Sequence, residues 1–455
     1  MTRWLLCCVL CVSFSAAFAP PVCGGEFDIE LTNRSRAGAS LSVADGAIVV
    51  RLIGGGEKRT RVIEAQTGKE LAEHETPGGK IQAVVGTSLL LDLTLYDIRT
   101  GTRRQKLGQY LCWAENGVYE YDQDAKALIR YSAIGKKEWT LPLRKAKLPA
   151  LTHYSAIGDD LLYAGAGVAV KITNKGKVKW RTQLKGKFTH SSSSLKGYSV
   201  DGTEFAFLTA TVEEKGQQYC AVHLLGKKRP KIIKVPDAGR HIANIVASSS
   251  YREAPLFKRG KSWYVMMQPG QGEKPQWSVV DLKKSRVVGR APSREVRDYR
   301  KGYAIKDRSS IVDLIADKEV VSFPQQMSSI QVTRDYACFE HDGKLHCQKM
   351  DGSGSWQTPL PDRHRSLSGR SVHGQPNWII LWPQGRRSDA AAPVIVVDPD
   401  AQRSFELGQI HTGGHNELNA AALFADGHCY FAYRFTTPEG SSTLRLRCLP
   451  IPSSQ

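Results

Sequence analysis

Two imidazoles and a carboxylate stand within seven residues in His411-Thr-Gly-Gly-His415-Asn-Glu417. Such a set could hold a metal ion or a general base. A polar, glycine-bearing loop between structural units explains the same residues and is the preferred reading. Asp159-Asp160 and Asp398-Pro-Asp400 offer the paired carboxylates that glycoside chemistry uses. Both fall where a turn is expected, and Asp is a turn former. No Gly-x-Ser-x-Gly elbow, phosphate loop or His-Glu-x-x-His appears. The sequence therefore assigns no catalytic, cofactor-binding or metal-binding residue.

The cysteines suggest structural chemistry instead. In Cys338-Phe-Glu-His-Asp342-Gly343-Lys-Leu-His-Cys347, Asp-Gly signals a two-residue hairpin. Pairing outward from that turn sets Cys338 opposite Cys347 at a non-hydrogen-bonded position, where Cα atoms lie about 4.5 Å apart and within disulfide reach. Cys429 and Cys448 flank Thr437-Pro-Glu-Gly440. A four-residue loop with Thr436 facing Ser441 carries Cys429 opposite Cys448. Two structural disulfides are the expectation, with free buried thiols as the alternative. Neither pair has the Cys-x-x-Cys spacing of a zinc site. Cys23, Cys112 and Cys220 remain unassigned.

The elements that carry these residues read as short strands. The 455 residues include 41 Gly and 21 Pro spread along the chain, and 41% are hydrophobic. That is enough for a core and suits many strands joined by many turns. Three segments repeat as Gly, three residues, Trp, three residues, Leu: Gly135 to Trp139 to Leu143, Gly176 to Trp180 to Leu184, and Gly352 to Trp356 to Leu360. The first two glycines are 41 residues apart, and the third lies 176 further on, four steps of 44. A four-stranded propeller blade needs about 40–45 residues. A Val-x-Asp pattern precedes the turn in Leu95-Tyr-Asp97, Val279-Val-Asp281, Ile311-Val-Asp313 and Val396-Val-Asp398. An aromatic on the strand after the turn can pack between neighbouring sheets.

These segments resemble the pyrroloquinoline-quinone-like propeller repeat. The nearest copy is Gly167-Val-Ala-Val-Lys-Ile-Thr-Asn-Lys-Gly-Lys-Val-Lys-Trp180. The resemblance runs over residues 46–184, more weakly over 262–407, and hardly touches 195–235. It implies an all-β, closed propeller of four-stranded blades, with Trp139, Trp180 and Trp356 as blade-docking aromatics. It also raises a quinoprotein dehydrogenase. Such enzymes hold their quinone against a disulfide of adjacent cysteines, and the only adjacent pair here is Cys7-Cys8 in the leader. No cofactor is expected.

Units centre on 37–75, 80–108, 109–143, 151–184, 194–235, 241–292, 296–324, 328–360, 368–408 and 417–451. That count is ten, although propellers commonly have about four to eight blades. Eight is favoured on that prior, with seven to ten open. The last unit lacks a strand, and Phe27-Asp-Ile-Glu-Leu31 alternates like one. The N-terminal strand is expected to complete the last blade and tie the ends together.

The N-terminus has the form of an export signal: Arg3, an apolar run from Trp4 to Val12, then Ser15-Ala-Ala-Phe-Ala19. Residues 1–19 are assigned to the signal, 20–36 to an N-terminal segment with the closing strand, and 37–455 to the propeller. Cleavage after Ala17 or Ala19 fits. No later run is long and apolar enough to span a membrane. The formal charge of +19 in an exported chain points to an acidic protein or anionic polysaccharide rather than nucleic acid. Lys and Arg guarding exposed strand edges account for much of it, including Gly226-Lys-Lys-Arg-Pro-Lys-Ile-Ile-Lys234. The residues point to an exported, monomeric, non-enzymatic binding or scaffolding propeller, with an exported carbohydrate-active enzyme as the alternative.

Overall fold

The computed structural model describes residues 26–34, 36–75, 82–150, 153–165, 167–184, 193–214, 217–226, 230–236, 238–242, 256–269, 276–360, 370–372, 375–383, 392–410, 415–424, 427–437 and 439–452. The proposed signal segment, Cys23 and His411 lie outside them. The described residues form ten antiparallel sheets, each wound from consecutive strands. Blades 1 to 9 occupy 38–75, 82–106, 110–142, 153–183, 193–236, 238–292, 296–322, 330–359 and 370–410. Blade 10 takes three strands from 415–450 and its fourth, outermost strand from Phe27–Thr32. The chain is a ten-bladed β-propeller, and the count of repeat units outweighs the size prior that favoured eight. Blade 6 alone has a split first strand, because Ala238–Ile242 and Leu256–Arg259 pair with successive parts of the same neighbour.

The burial pattern explains why the middle strands read as apolar runs. Asp160–Gly165 and Val168–Ile172 are buried along nearly their whole length, since each lies between two other blades. The outermost strand of the preceding blade, Lys137–Pro142, alternates and stays largely exposed. Ten apolar clusters fill the gaps between blades, one per gap. The tenth joins Tyr430, Leu444 and Leu446 of blade 10 to Ile48, Val50 and Ile63 of blade 1, so the ring closes. Burying each such side chain contributes about 1.5–3 kcal/mol.

Local turn chemistry sets the blade edges. Asp97, Asp281, Asp313 and Asp398 end third strands, and each carboxylate accepts from backbone N–H groups of the turn that follows. That is the Asx turn, and it gives the Val-x-Asp pattern its purpose. In the equivalent turn of blade 4 the glycine is crowded by the neighbouring blade. At Gly176 φ is +75°, and a Cβ would lie 3.1 Å from the Trp139 ring of blade 3. Trp139 also donates Nε1–H to Asn174 O at 2.8 Å. Trp180 approaches Gly226 of blade 5 in the same manner. Trp356 stands opposite Cys347 and packs on the cluster between blades 8 and 9.

The closing strand repeats this scheme across the chain ends. Phe27 pairs with Cys448 and Ile29 with Leu446. The Phe27 ring lies 2.6 Å from where a Cβ on Gly68 would stand. Asp28 accepts from Tyr433 Oη at 2.7 Å and Arg445 Nε at 2.9 Å. Arg61 of blade 1 donates to the carbonyls of Glu30 and Leu31 at 2.8 and 2.9 Å.

Next to this seam, Glu57 is only 6% exposed. It accepts from Arg59 Nε at 2.8 Å and from Thr32 Oγ1, and pairs with Arg34 at 3.2 Å. Bonds from Arg59 do most to hold its carboxyl at about 2, against burial, which acts upward. The folded value lies below the unfolded one of about 4.3. The stabilisation is therefore full above that value and lost as pH falls towards 2. Wild-type protein is expected to lose about 3 kcal/mol over that interval through this group. In urea melts from pH 5 to 2.5, Glu57→Gln should start weaker and lose correspondingly less. Parallel pH profiles for the two proteins would refute this.

The cysteine expectations need correction. Cys112, Cys220, Cys338, Cys347, Cys429 and Cys448 are all free thiols. Cys338 does face Cys347, in the hairpin register read from Asp342-Gly343, and both thiols are buried without a bond between them. Burial pushes the Cys338 thiol well above its ordinary range, with Cys347 beside it adding to the effect. For the second pair the register itself is different. Thr436 faces Ser442, not Ser441, so Cys429 meets Leu449 and Cys448 meets Tyr430. The loop has one residue more than the sequence suggested, with Thr437 N bonding Ser441 O at 2.8 Å. A one-residue slip sends a side chain to the other face of a sheet. Cys429 accordingly packs towards blade 9 and Cys448 towards blade 1, which excludes a bond between them.

Candidate functional site

The first-to-second strand turns of blades 6 to 8 and the third-to-fourth strand turns of blades 8 and 9 open on one face of the ring. Over blades 6 to 9 they enclose a cavity of about 340 Å³. Its cations come from the ends of successive first strands and their turns: Lys258 and Arg259 from blade 6, Arg300 and Lys301 from blade 7, Arg334 from blade 8. Lys349 adds a sixth at the end of a third strand. Asp335, Asp351 and Asp400 are the carboxylates in the wall.

These charges are not equally available. Arg259 forks onto Asp313 at 2.9 and 2.7 Å and lies 4.6 Å from the Tyr303 ring centre. Burial works upward on the Asp313 carboxyl, but Arg259 and the Ala316 and Ile315 N–H groups outweigh it and hold it low. Arg300 is buried and donates to the Thr333 and Val332 carbonyls. Lys301 and Arg334 both engage Asp335, the latter at 2.9 Å. Lys258 and Lys349 differ. Among the described residues neither makes an ion pair. Each ammonium stands about 6 Å from an aromatic centroid: Lys258 at 6.0 Å from Trp263, Lys349 at 5.9 Å from Tyr336.

The acidic wall is held by a neutral amide. Asn377 Nδ2 donates to Asp335 at 3.1 Å and to Asp400 at 2.8 Å, while Asp400 also accepts from Tyr336 Oη at 3.1 Å. Burial would raise the Asp335 carboxyl, but Lys301, Asn377 and Arg334 together bring it below its usual range. Asp351 is also low, its Ser353 bonds and Lys349 outweighing burial. A general acid needs a shift in the other direction. The arrangement suits holding a charged partner better than moving a proton.

The residues that sequence reasoning marked fall elsewhere. His415 and Glu417 lie at the start of the first strand of blade 10, His415–Phe424, opposite Thr436 and Arg434, rather than in a loop. Asp159 accepts from Asn116 N at 2.7 Å and Nδ2 at 3.0 Å, joining blades 3 and 4. Asp398 caps its turn, and only Asp400 of that pair reaches the cavity. Of the basic stretch ending at Lys234, residues 231–234 belong to the outermost strand Lys231–Pro236 of blade 5, and Lys227, Lys228 and Arg229 lie outside the described residues. The pocket's own signal was present but unread: Lys258-Arg259-Gly260 and Arg300-Lys301-Gly302 set a basic pair before the same turn in consecutive blades.

No family model matches the chain, and no curated protein matches it. Among solved structures it is similar to the Dos1 propeller, at 7% identity over 93% of this chain and 95% of that one, with a TM-score of 0.33. It is also similar to the WD40 domain of SCAP from fission yeast, at 11% identity over 76% and 96%, TM-score 0.29. The N-terminal domain of Nup159 matches at 11% identity over 72% and 92%, TM-score 0.34. These likenesses concern the fold alone.

Proposed function

We propose that this protein is an exported binding platform whose basic pocket over blades 6 to 9 holds a carboxylate-bearing partner. The observation that carries the reading is the pair Lys258 and Lys349. Among the described residues neither ammonium makes a direct ion pair, although Lys349 helps hold Asp351 low, and both are set in a wall whose other cations are held in place by carbonyls and carboxylates. A ring of ten blades keeps such turns rigid, which lowers the ordering cost of binding. Acidic protein segments and uronate polysaccharides share the chemistry that this pocket recognises. Export rests on the leader-like residues 1–19. No helix among the described residues is long and apolar enough to cross a membrane.

The test is calorimetric titration of the full mature chain with trigalacturonate and with a hexaglutamate peptide. Tight binding of one names the source of the carboxylate. Lys258→Gln with Lys349→Gln should weaken that binding about tenfold or more, on the order of 0.7 kcal/mol or more per lost charge. Each should also flatten its salt dependence. Unchanged affinity in the double variant sinks the assignment.

A further inference from the structure

The opposite face of the ring carries a second cavity that the carboxylate pocket does not explain. It measures about 610 Å³ and lies where blades 7 and 8 meet. Arg294, Arg308, Ser293, Ser328 and Ser329 supply its polar wall. Ile305 and Ile330 border it, with their side chains packed in the core between blades 7 and 8. Among the described residues no carboxylate lines it. Glu295, beside Arg294, is engaged by Lys306 at 3.3 Å. Among the described residues neither Arg294 nor Arg308 forms an ion pair, in contrast to the first pocket.

Arg308 is also held in an unfavourable backbone conformation. Asp307 and Arg308 have φ of +49° and +57°, the left-handed region that side-chain-bearing residues rarely adopt. The turn is locked from several sides. Ser309 N bonds Lys306 O and Met327 N bonds Arg308 O, both at 2.9 Å, while Arg308 Nη1 donates to Ser328 O at 3.1 Å. The turn sets the Arg308 guanidinium, with donors to spare, beside Ser328.

We infer that this cavity binds a sulfate or phosphate ester carried on a sugar chain. Two guanidinium groups from separate turns, in a wall shared with three serines, suit an anion with three terminal oxygens, whereas a planar carboxylate is satisfied by one Arg fork. The volume exceeds what one oxyanion fills and lies in the range of small-ligand sites. The serine hydroxyls of the wall suit sugar hydroxyls. The inference stands apart from the carboxylate pocket, since the two share no residue.

The experiment titrates the full mature chain with a heparin-derived tetrasaccharide, a phosphorylated mannose oligosaccharide, inorganic sulfate and trigalacturonate. Binding of either esterified sugar, at least tenfold tighter than inorganic sulfate, is the expected result, and the tighter of the two identifies the ester. Arg294→Gln removes an exposed, unpaired side chain and should weaken that binding about tenfold. Arg308→Lys should weaken it as well, while Lys258→Gln with Lys349→Gln should leave it unchanged. Retained affinity in Arg294→Gln would overturn the inference. So would equal affinity for inorganic sulfate, or loss of sugar binding in the lysine variants alone. Trigalacturonate binding that ignores Arg294 belongs to the other face and tests that reading separately.

Discussion

A chain that begins at Asn33 should melt about 8 °C below the chain that keeps its N-terminal strand. Phe27–Thr32 supplies the outermost strand of blade 10, and Phe27, Ile29 and Leu31 pack into the cluster that joins blade 10 to blade 1. Three such side chains contribute about 6 kcal/mol together. Removing Asp28 leaves Arg445 and the buried Tyr433 hydroxyl without their partner, adding about 1–3 kcal/mol. For a chain of this length each kcal/mol moves the midpoint by about 1 °C, at about 2.1 cal/mol/K per residue. The loss also bares the backbone edge of Ser442–Pro450, a template for pairing with another chain. Calorimetry with light scattering reads both effects. Phe27→Ala gives a milder control, as it removes the ring over Gly68 and leaves the strand. A truncated chain that melts with the full one would mean that the seam does not hold the ring.

Lys171→Ala should cost about 3–5 kcal/mol, the largest effect expected of a single substitution here. Lys171 is 1% exposed on the third strand of blade 4. Its ammonium meets Asp160 at 2.8 Å and also bonds Glu204 of blade 5. Asp160 in turn accepts Asn174 N at 2.8 Å, so one lysine ties a turn, its own blade and the next blade together. Burial lowers the lysine's proton affinity, but the bonds to Asp160 and Glu204 outweigh it and the value rises above the ordinary one. With a raised folded value, the contribution is complete below about pH 10.4 and is lost as pH climbs beyond. Lys171→Met keeps the stem and should recover only the packing part, on the order of 1 kcal/mol. Glu204 is 41% exposed, and Glu204→Gln should cost less than about 1 kcal/mol. Urea unfolding of the three variants decides it. If Lys171→Met is as stable as wild type, the buried charge adds nothing and packing alone holds these blades.

Much of the architecture was legible because repeat folds write local rules many times. The Gly-to-Trp spacing marks a turn whose glycine must accept the neighbouring blade's outer strand, as Gly176 accepts Trp139. The Val-x-Asp pattern marks the carboxylate that caps that turn. Both are short-range, so their residues lie close in sequence. Register was legible where the turn is two residues long, at Asp342-Gly343, and failed where the loop has an extra residue, at Thr437–Ser441. A loop can absorb that residue without changing its composition, yet the slip moves Cys429 and Cys448 to opposite faces.

The candidate sites were hidden for a related reason. Lys258, Lys301, Arg334 and Lys349 span nearly a hundred residues and meet only because the ring sets their turns side by side. Each alone reads as a solvated charge on a strand edge. The pair Arg294 and Arg308 was equally silent, since nothing in the sequence shows that their guanidinium groups lack carboxylate partners. The sequence by itself determined the repeating blade unit and the strand that closes the ring, because these follow from periodicity and turn chemistry within about 45 residues, whereas the choice of ten blades over the favoured eight came from the structure. Only the tertiary structure decided which charges are neutralised and which remain available. Those pairings run between blades, such as Arg259 with Asp313 and Lys171 with Glu204, and depend on side chains that the circular packing alone brings within reach.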